Sequence, residues 1–264
     1  MRKVAGRIGL IVCVAVFLVA VWNIVSILVS YRQGEQLYTE TAAQFVQENP
    51  PEQAGETGTV EAAQSSAAAL ETVETPPISV DFDSLQAVNP EVVGWIYCPD
   101  TAINYPVLQG TDNEYYLNHL YDGTYNSSGS IFVDCNNSAG FSDANIILYG
   151  HHMRNGSMFA GLEKFADQSY YEAHPVMWLL TPEGNYKILL LSGYTTSYDS
   201  DAYTIIYQPG QTMEDYLTQC LSHSDFTAQV DADGAEKLIT LSTCAYSFEN
   251  ARYVLHGVMV EVGE

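Results

Sequence analysis

Residues Ile8 to Ser30 form one long apolar run, IGLIVCVAVFLVAVWNIVSILVS, and no other feature limits the fold as strongly. At 1.5 Å per residue a helix of this length matches the ~30 Å hydrocarbon core of a bilayer. Asn23 and Ser26 are its notable polar breaks, and a helix satisfies such groups internally. Arg2, Lys3 and Arg7 precede the run and only Arg32 closely follows it. The positive-inside rule therefore predicts an N-terminus in the cytoplasm, a single-pass anchor, and everything after Tyr31 outside the cell. A cleaved signal peptide is the alternative. Its apolar region is usually shorter and ends at a small-residue cleavage site, which this sequence lacks.

The net charge is −23, and four of the nine basic residues lie at or before Arg32, so the exported part is more acidic still. That argues against nucleic acid as a partner, since such binding rests on cationic neutralisation of phosphates. It also argues against broad adhesion to anionic lipid. The five cysteines (Cys13, Cys98, Cys135, Cys220 and Cys244) form no CxxC pair and no zinc spacing. The exported part is large enough to build a core without disulfides, so Cys98, Cys135 and Cys220 read as small buried thiols.

Gln33 to Gln47 reads as a helical extension of the anchor. Asn49 to Pro77 is rich in Pro, Glu, Ala, Thr and Ser, and reads as a solvated stalk. The expected organisation is thus a cytoplasmic end at 1–7, an anchor at 8–30, a helical then disordered stalk at 31–77, and one folded domain at 78–264. A short helix is expected over Ser84–Val92, capped by Asp83 or Ser84. Strand-like runs follow at Val93–Tyr97, Ile103–Leu108, Gly129–Asp134, Ile146–Tyr149, Val176–Thr181, Tyr186–Thr195, Leu238–Leu241 and Tyr253–Val260. Helical patterns fall at Phe159–Phe165, Tyr170–Ala173 and Met213–Ser222. Eight short strands with few helices predict a mainly β domain, a closed barrel or sandwich.

Three side chains carry possible chemistry. Cys244 ends the apolar run Leu238–Thr243, which would bring its sulfur to a rim, although the local sequence alone favours a structural cysteine. Arg252 opens the next run; beside a thiol it would hold a carbonyl or an oxyanion, and on composition alone it reads as a surface ion pair. His151 follows Gly150 at the end of the Asn145–Tyr149 run, where glycine permits a sharp turn, although a lone histidine there reads more often as structural than catalytic. His152 points the opposite way, because neighbours on an extended chain diverge, so the pair does not make a zinc site. His119, His174, His223 and His256 read as structural.

Together these segments resemble class B sortases. The likeness lies in TLSTC (Thr240–Cys244), the downstream Arg252, YGHHM (Tyr149–Met153), NPEVVGWI (Asn89–Ile96), INYPVLQGTDNEYYLNH (Ile103–His119) and GSIFVDCNN (Gly129–Asn137). It covers roughly Ser84 to Val262. The resemblance implies an eight-stranded sortase-type barrel and a cysteine transpeptidase of Gram-positive surfaces. Such enzymes cut a C-terminal sorting signal after threonine and join the threonine to an amine of a peptidoglycan precursor, with no cofactor or metal. It also implies Cys244 as nucleophile, His151 as general acid and base, and Arg252 as the group that orients substrate and steadies the oxyanion. Asn113 and Leu117 match groove-lining positions, Ser242 a position beside the thiol, and Tyr203 a groove wall. Ala245 replaces a carboxylate found in some members, and the Cys-to-Arg loop is shorter than in some. With unperturbed pKa values of ~8.5 and ~6.5, only about 1 % of such an enzyme holds thiolate and imidazolium together at neutral pH.

Two other readings stay open at this stage: a papain-like cell-wall peptidase and a non-catalytic anchored ectodomain. In the first, cysteine usually precedes histidine in the sequence; here His151 comes first. Pilus assembly is an open alternative role for the sortase reading.

Overall fold

The computed structural model describes residues 2–49, 75–205, 212–230, 232 and 234–262. Helix α1 runs from Arg2 to Phe45 without a break. It is long and apolar enough to cross a membrane, and its apolar side chains from Val14 to Val29 stand exposed. After α1 come strands β1 (Val46–Glu48) and β2 (Ile78–Val80), which pair antiparallel with Val46 opposite Val80.

The segment expected to be a stalk therefore divides. Residues 50–74 lie outside the described residues. Residues 31–48 pack on the folded domain: Tyr38, Thr41 and Phe45 are all buried. They are spaced three and four apart, so they share one helix face. The contact begins at the end of the apolar run, where the Asn126 side-chain amide donates to the Ser30 carbonyl at 2.9 Å and the Ser30 and Ser127 hydroxyls meet at 3.1 Å.

Helix α2 spans Phe82–Val88. Its N-cap is Asp81, whose carboxylate accepts from the Ser84 N–H at 3.0 Å, rather than Asp83 or Ser84. The helix also stops earlier than expected. Asn89 is extended at φ −144° because Pro90 follows it, and the freed backbone enters β3 (Val92–Tyr97).

Strands β4 (Asn104–Leu108), β5 (Ile131–Val133) and β6 (Asn145–Tyr149) come next, then the short helix α3 (Gln168–Ala173). Strands β7 (Val176–Leu180) and β8 (Asn185–Ser197) precede helix α4 (Met213–His223). The domain ends in β9 (Leu238–Cys244) and β10 (Ala251–Val262). Eight strands close a barrel in the order β10-β8-β7-β3-β4-β5-β6-β9. The β4–β5 and β6–β9 pairs are parallel and the remaining pairs antiparallel. The expected helix around Phe159–Phe165 is a 3-10 segment, Ala160–Ala166, and the other predicted elements lie within a few residues of their expected bounds.

Strand β9 is buried on both faces, and its sequence holds only aliphatic and small hydroxyl residues before Cys244, with no charged residue. Ile239 and Leu241 face the barrel core with Leu148 and Val133, their neighbours across the sheet. Leu238 faces outward, under Tyr216, Leu217 and Cys220 of α4. Side chains alternate along a strand, so Thr240, Ser242 and Cys244 share the outer face with Leu238. On β10, Val254 and Val258 lie in the same outer layer, and the same parity places Arg252 there. Helix α4 covers the middle of this layer, and Cys244 and Arg252 lie where the two strands meet the hairpin that joins them.

Candidate active site

Cys244 and Arg252 are direct partners in the β9–β10 ladder. Opposed residues of an antiparallel pair put their Cβ atoms about 4.5–5.5 Å apart on one face. The hairpin between them is tied by the Ala245 N–H donating to the Ala251 carbonyl at 2.9 Å, with Asn250 at φ +60°. Arg252 donates from Nη1 to the Ala251 carbonyl at 3.0 Å, which fixes the guanidinium at the hairpin end. Among the described residues Arg252 has no carboxylate within ion-pair distance, so the surface ion pair is not what holds it.

His151 reaches the same place from β6, the other neighbour of β9. The Gly150 N–H donates to the Ser242 carbonyl at 3.1 Å, extending the parallel β6–β9 ladder by one step. A Cβ at Gly150 would lie 2.4 Å from Ile131 Cδ1 and 2.7 Å from Phe159 Cδ2, so close packing demands glycine there, rather than a turn at positive φ. The His151 ring is set by Nε2, 2.7 Å from the Leu117 carbonyl oxygen. A carbonyl only accepts, so Nε2 carries a proton and Nδ1 is left to exchange one. His152 turns to the other side. Its Nδ1 donates to the Cys244 carbonyl at 2.8 Å and lies 3.6 Å from Glu163, and its ring lies 5.3 Å from that of Tyr246.

Cys244, His151 and Arg252 are all partly exposed, and all three line one open cavity of about 390 Å³. Asn113, Leu117, Ser242 and Tyr203, each expected at the groove, line it too. The Asn113 side-chain oxygen accepts from the Cys135 N–H at 2.8 Å, which ties the groove end to the loop after β5. Tyr203 sits on a 3-10 turn, Asp201–Tyr203, and its hydroxyl is 2.8 Å from that of Ser242. Burial pushes the Tyr203 phenol up; the Ser242 bond and the Arg252 guanidinium pull it back, and the Cys244 thiol pushes it up again. Tyr203 is thus within electrostatic reach of both Arg252 and Cys244.

Sequence reasoning did not single out Phe132, Tyr149, Tyr198 or Thr243, which also line the cavity. Tyr149 stacks on Tyr203 at 6.2 Å and donates to Asp134 at 2.7 Å; burial, then this carboxylate, raises its pKa. Alternation was the available signal for Tyr149, which shares a face with His151 two residues on. The other thiols differ from Cys244 in setting. Cys98 and Cys220 are buried, and burial pushes each to a pKa of about 11. Cys135 is part-exposed beside Asp134, with its pKa raised by desolvation and then by that carboxylate.

A protein-family model described as the sortase domain matches residues 96–260. Sortase B of Listeria monocytogenes is 38 % identical over 182 residues, which is 68 % of this chain and 74 % of that protein. The Staphylococcus aureus sortase B–substrate complex superposes with a TM-score of 0.65 at 32 % identity, covering 69 % of this chain and 85 % of the other. A crystal structure of sortase B complexed with triglycine gives a TM-score of 0.65 at 34 % identity, covering 69 % and 86 %.

Proposed function

The chain belongs to the sortase family as a class B member and is a cysteine transpeptidase, and on that premise we propose that Cys244, His151 and Arg252 carry the reaction. The observation that best supports this assignment is the ladder pairing of Cys244 with Arg252 on the face that forms one wall of the cavity shared with His151. The solved relatives with a substrate and with triglycine support a peptide donor and an amine acceptor for this chain.

In the first half-reaction the Cys244 thiolate attacks the carbonyl carbon of the signal's threonine. The oxygen gains charge, and the guanidinium of Arg252 stabilises it. The carbon–nitrogen bond then breaks, the leaving amine takes a proton from His151 Nδ1, and an acyl thioester remains on Cys244. In the second half an amine of the cell-wall precursor attacks the thioester carbon and gives its proton to His151. The carbon–sulfur bond breaks and the thiolate returns. Asn113, Leu117, Ser242 and Tyr203 line the groove that receives the sorting signal.

The apolar part of α1 anchors the enzyme in the cell membrane. On this reading residues 1–7 lie in the cytoplasm, residues 8–30 cross, and the barrel works outside among exported proteins. The test is cleavage of a panel of sorting-signal peptides by the chain, with mass spectrometry of the enzyme. An adduct on Cys244, equal in mass to the peptide up to its threonine, is expected, and Cys244→Ala is expected to leave every peptide intact. Cleavage by the Cys244→Ala variant would overturn the assignment.

A further inference from the structure

The turn that holds His151 is itself held from outside the barrel. Leu117, whose carbonyl meets His151 Nε2, ends the 3-10 turn Tyr115–Leu117. Ser130 holds this turn and the residues just after it. Its N–H donates to the Tyr116 carbonyl at 2.9 Å and its hydroxyl donates to the His119 carbonyl at 2.8 Å. Gly129, at φ +56°, packs directly on it; a Cβ there would lie 2.5 Å from the Tyr116 carbonyl oxygen and 2.6 Å from that of Leu117. Gly129 and Ser130 are in turn met by one side chain of α1. The Tyr38 hydroxyl donates to the Gly129 carbonyl at 2.7 Å and lies 3.0 Å from the Ser130 hydroxyl. Burial raises the Tyr38 phenol well above its ordinary range, so it remains a proton donor.

We infer that Tyr38, on the helix that continues from the apolar span, is a positioning residue for His151, acting through Gly129 and Ser130 on the turn that bears the Leu117 carbonyl. The inference rests on the reading of His151 as the proton-transfer group. The Tyr38 ring is locked edge-on against Tyr105 at 5.2 Å, so its hydroxyl has little freedom. Without that hydroxyl the Gly129 carbonyl loses a buried donor and the turn gains freedom beneath the imidazole. Misplacement of a catalytic group by as little as ~1 Å lowers turnover by up to about 100-fold. The active site is thereby tied to the membrane-proximal helix.

The test uses the full chain in detergent micelles. Tyr38→Phe keeps the ring and removes only the hydroxyl. Thr41→Val is the control: it removes a buried hydroxyl from the same helix, one whose bond runs to Leu37 at 2.7 Å and stays within the helix. Tyr38→Phe is expected to lower kcat about 3- to 10-fold, with KM for the sorting peptide within about twofold, since the loss falls on a catalytic group rather than on uniform binding. The His151 Nε2 proton, followed by NMR, is expected to exchange faster with water. Tyr38→Phe combined with Ser130→Ala is expected to lose no more than the worse single variant, because the two act on one turn. Wild-type kcat and exchange in Tyr38→Phe, or an equal loss in Thr41→Val, would overturn the inference. If His151→Ala abolishes turnover while Tyr38→Phe is silent, only this inference fails; if His151→Ala turns over normally, the site assignment fails and takes it along.

Discussion

The hydroxyl of Tyr203 meets that of Ser242 at 2.8 Å, linking the segment that leads into α4 to the strand that ends in Cys244. This bond fixes one wall of the cavity two residues from the thiol. Tyr203→Phe removes one part-buried hydrogen bond, worth about 1 kcal/mol, and is expected to raise KM for the sorting peptide roughly fivefold with little change in kcat. Tyr203→Ala also removes the ring stacked on Tyr149 and is expected to raise KM by about a further order of magnitude. Steady-state kinetics with one peptide checks both. A fall in kcat at constant KM would place Tyr203 in the chemistry instead of the wall.

Arg252 is held opposite Cys244 by strand register and by its own bond to the Ala251 carbonyl. A fork placed this way presents two N–H groups to a carbonyl oxygen, whereas a lysine at the same position presents a rotating point charge. Arg252→Ala is expected to reduce kcat about 100- to 1000-fold, the usual effect of losing an oxyanion donor. Arg252→Lys is expected to recover only a minor part of that. Single-turnover measurement of thioester formation distinguishes this from a defect in amine attack; the Arg252 variants are expected to be slow in the first step already.

Much of the architecture was legible because β-strands write their burial into the sequence. The run Leu238–Thr243 sets Leu238 on one parity and Ile239 and Leu241 on the other, with only small hydroxyl residues between them, and the structure covers it on both sides. That Cys244, His151 and Arg252 meet at one cavity was legible through motif and spacing. What escaped were roles played by the backbone. Leu117 was expected at the groove, yet it also supplies a carbonyl to His151, and the Cys244 carbonyl is bound by His152; no side-chain identity encodes either bond. Tyr203 sits on an isolated 3-10 turn with no periodicity, so only the family resemblance points to it. The packed face of α1 carried a signal that was outweighed. Leu37, Tyr38, Ala42 and Phe45 recur at helical spacing, but the polar stretch after Pro50 set the reading of the whole segment as stalk.

That packed face changes where a soluble enzyme should begin. A chain starting at Ile78 would lack β1, the partner of β2, and would lose Tyr38 and Phe45 from the core. Phe45 is 5 % exposed, and Phe45→Ala is expected to cost about 3–5 kcal/mol, as for other buried aromatic residues. A chain starting at Tyr31 is therefore expected to melt several degrees above one starting at Ile78. Thermal unfolding of the two, followed by circular dichroism, checks this. Equal melting temperatures would mean that α1 contributes nothing to the stability of the barrel.

His256 makes stability depend on pH in a direction that can be worked out. It is fully buried between β10 and α4; its Nδ1 meets the Thr240 hydroxyl at 3.0 Å, and Nε2 has no hydrogen-bond partner among the described residues. Tyr194 and Tyr216 face its ring, Ser192 lies opposite it on β8, and among the described residues no charged side chain offsets the burial. Burial lowers its pKa to about 3, against ~6.5 in an unfolded chain. Between those values the unfolded state binds a proton that the folded state refuses. Stability is thus highest above the unfolded pKa and falls as pH drops from about 6.5 towards 3, by an amount on the order of a few kcal/mol. His256→Gln retains a polar side chain that does not titrate, and is expected to flatten this part of the profile. Urea unfolding of both proteins at pH 7 and pH 5 gives the comparison: the loss on acidification is expected to be smaller in His256→Gln. An unchanged loss would assign the acid sensitivity to the carboxylates.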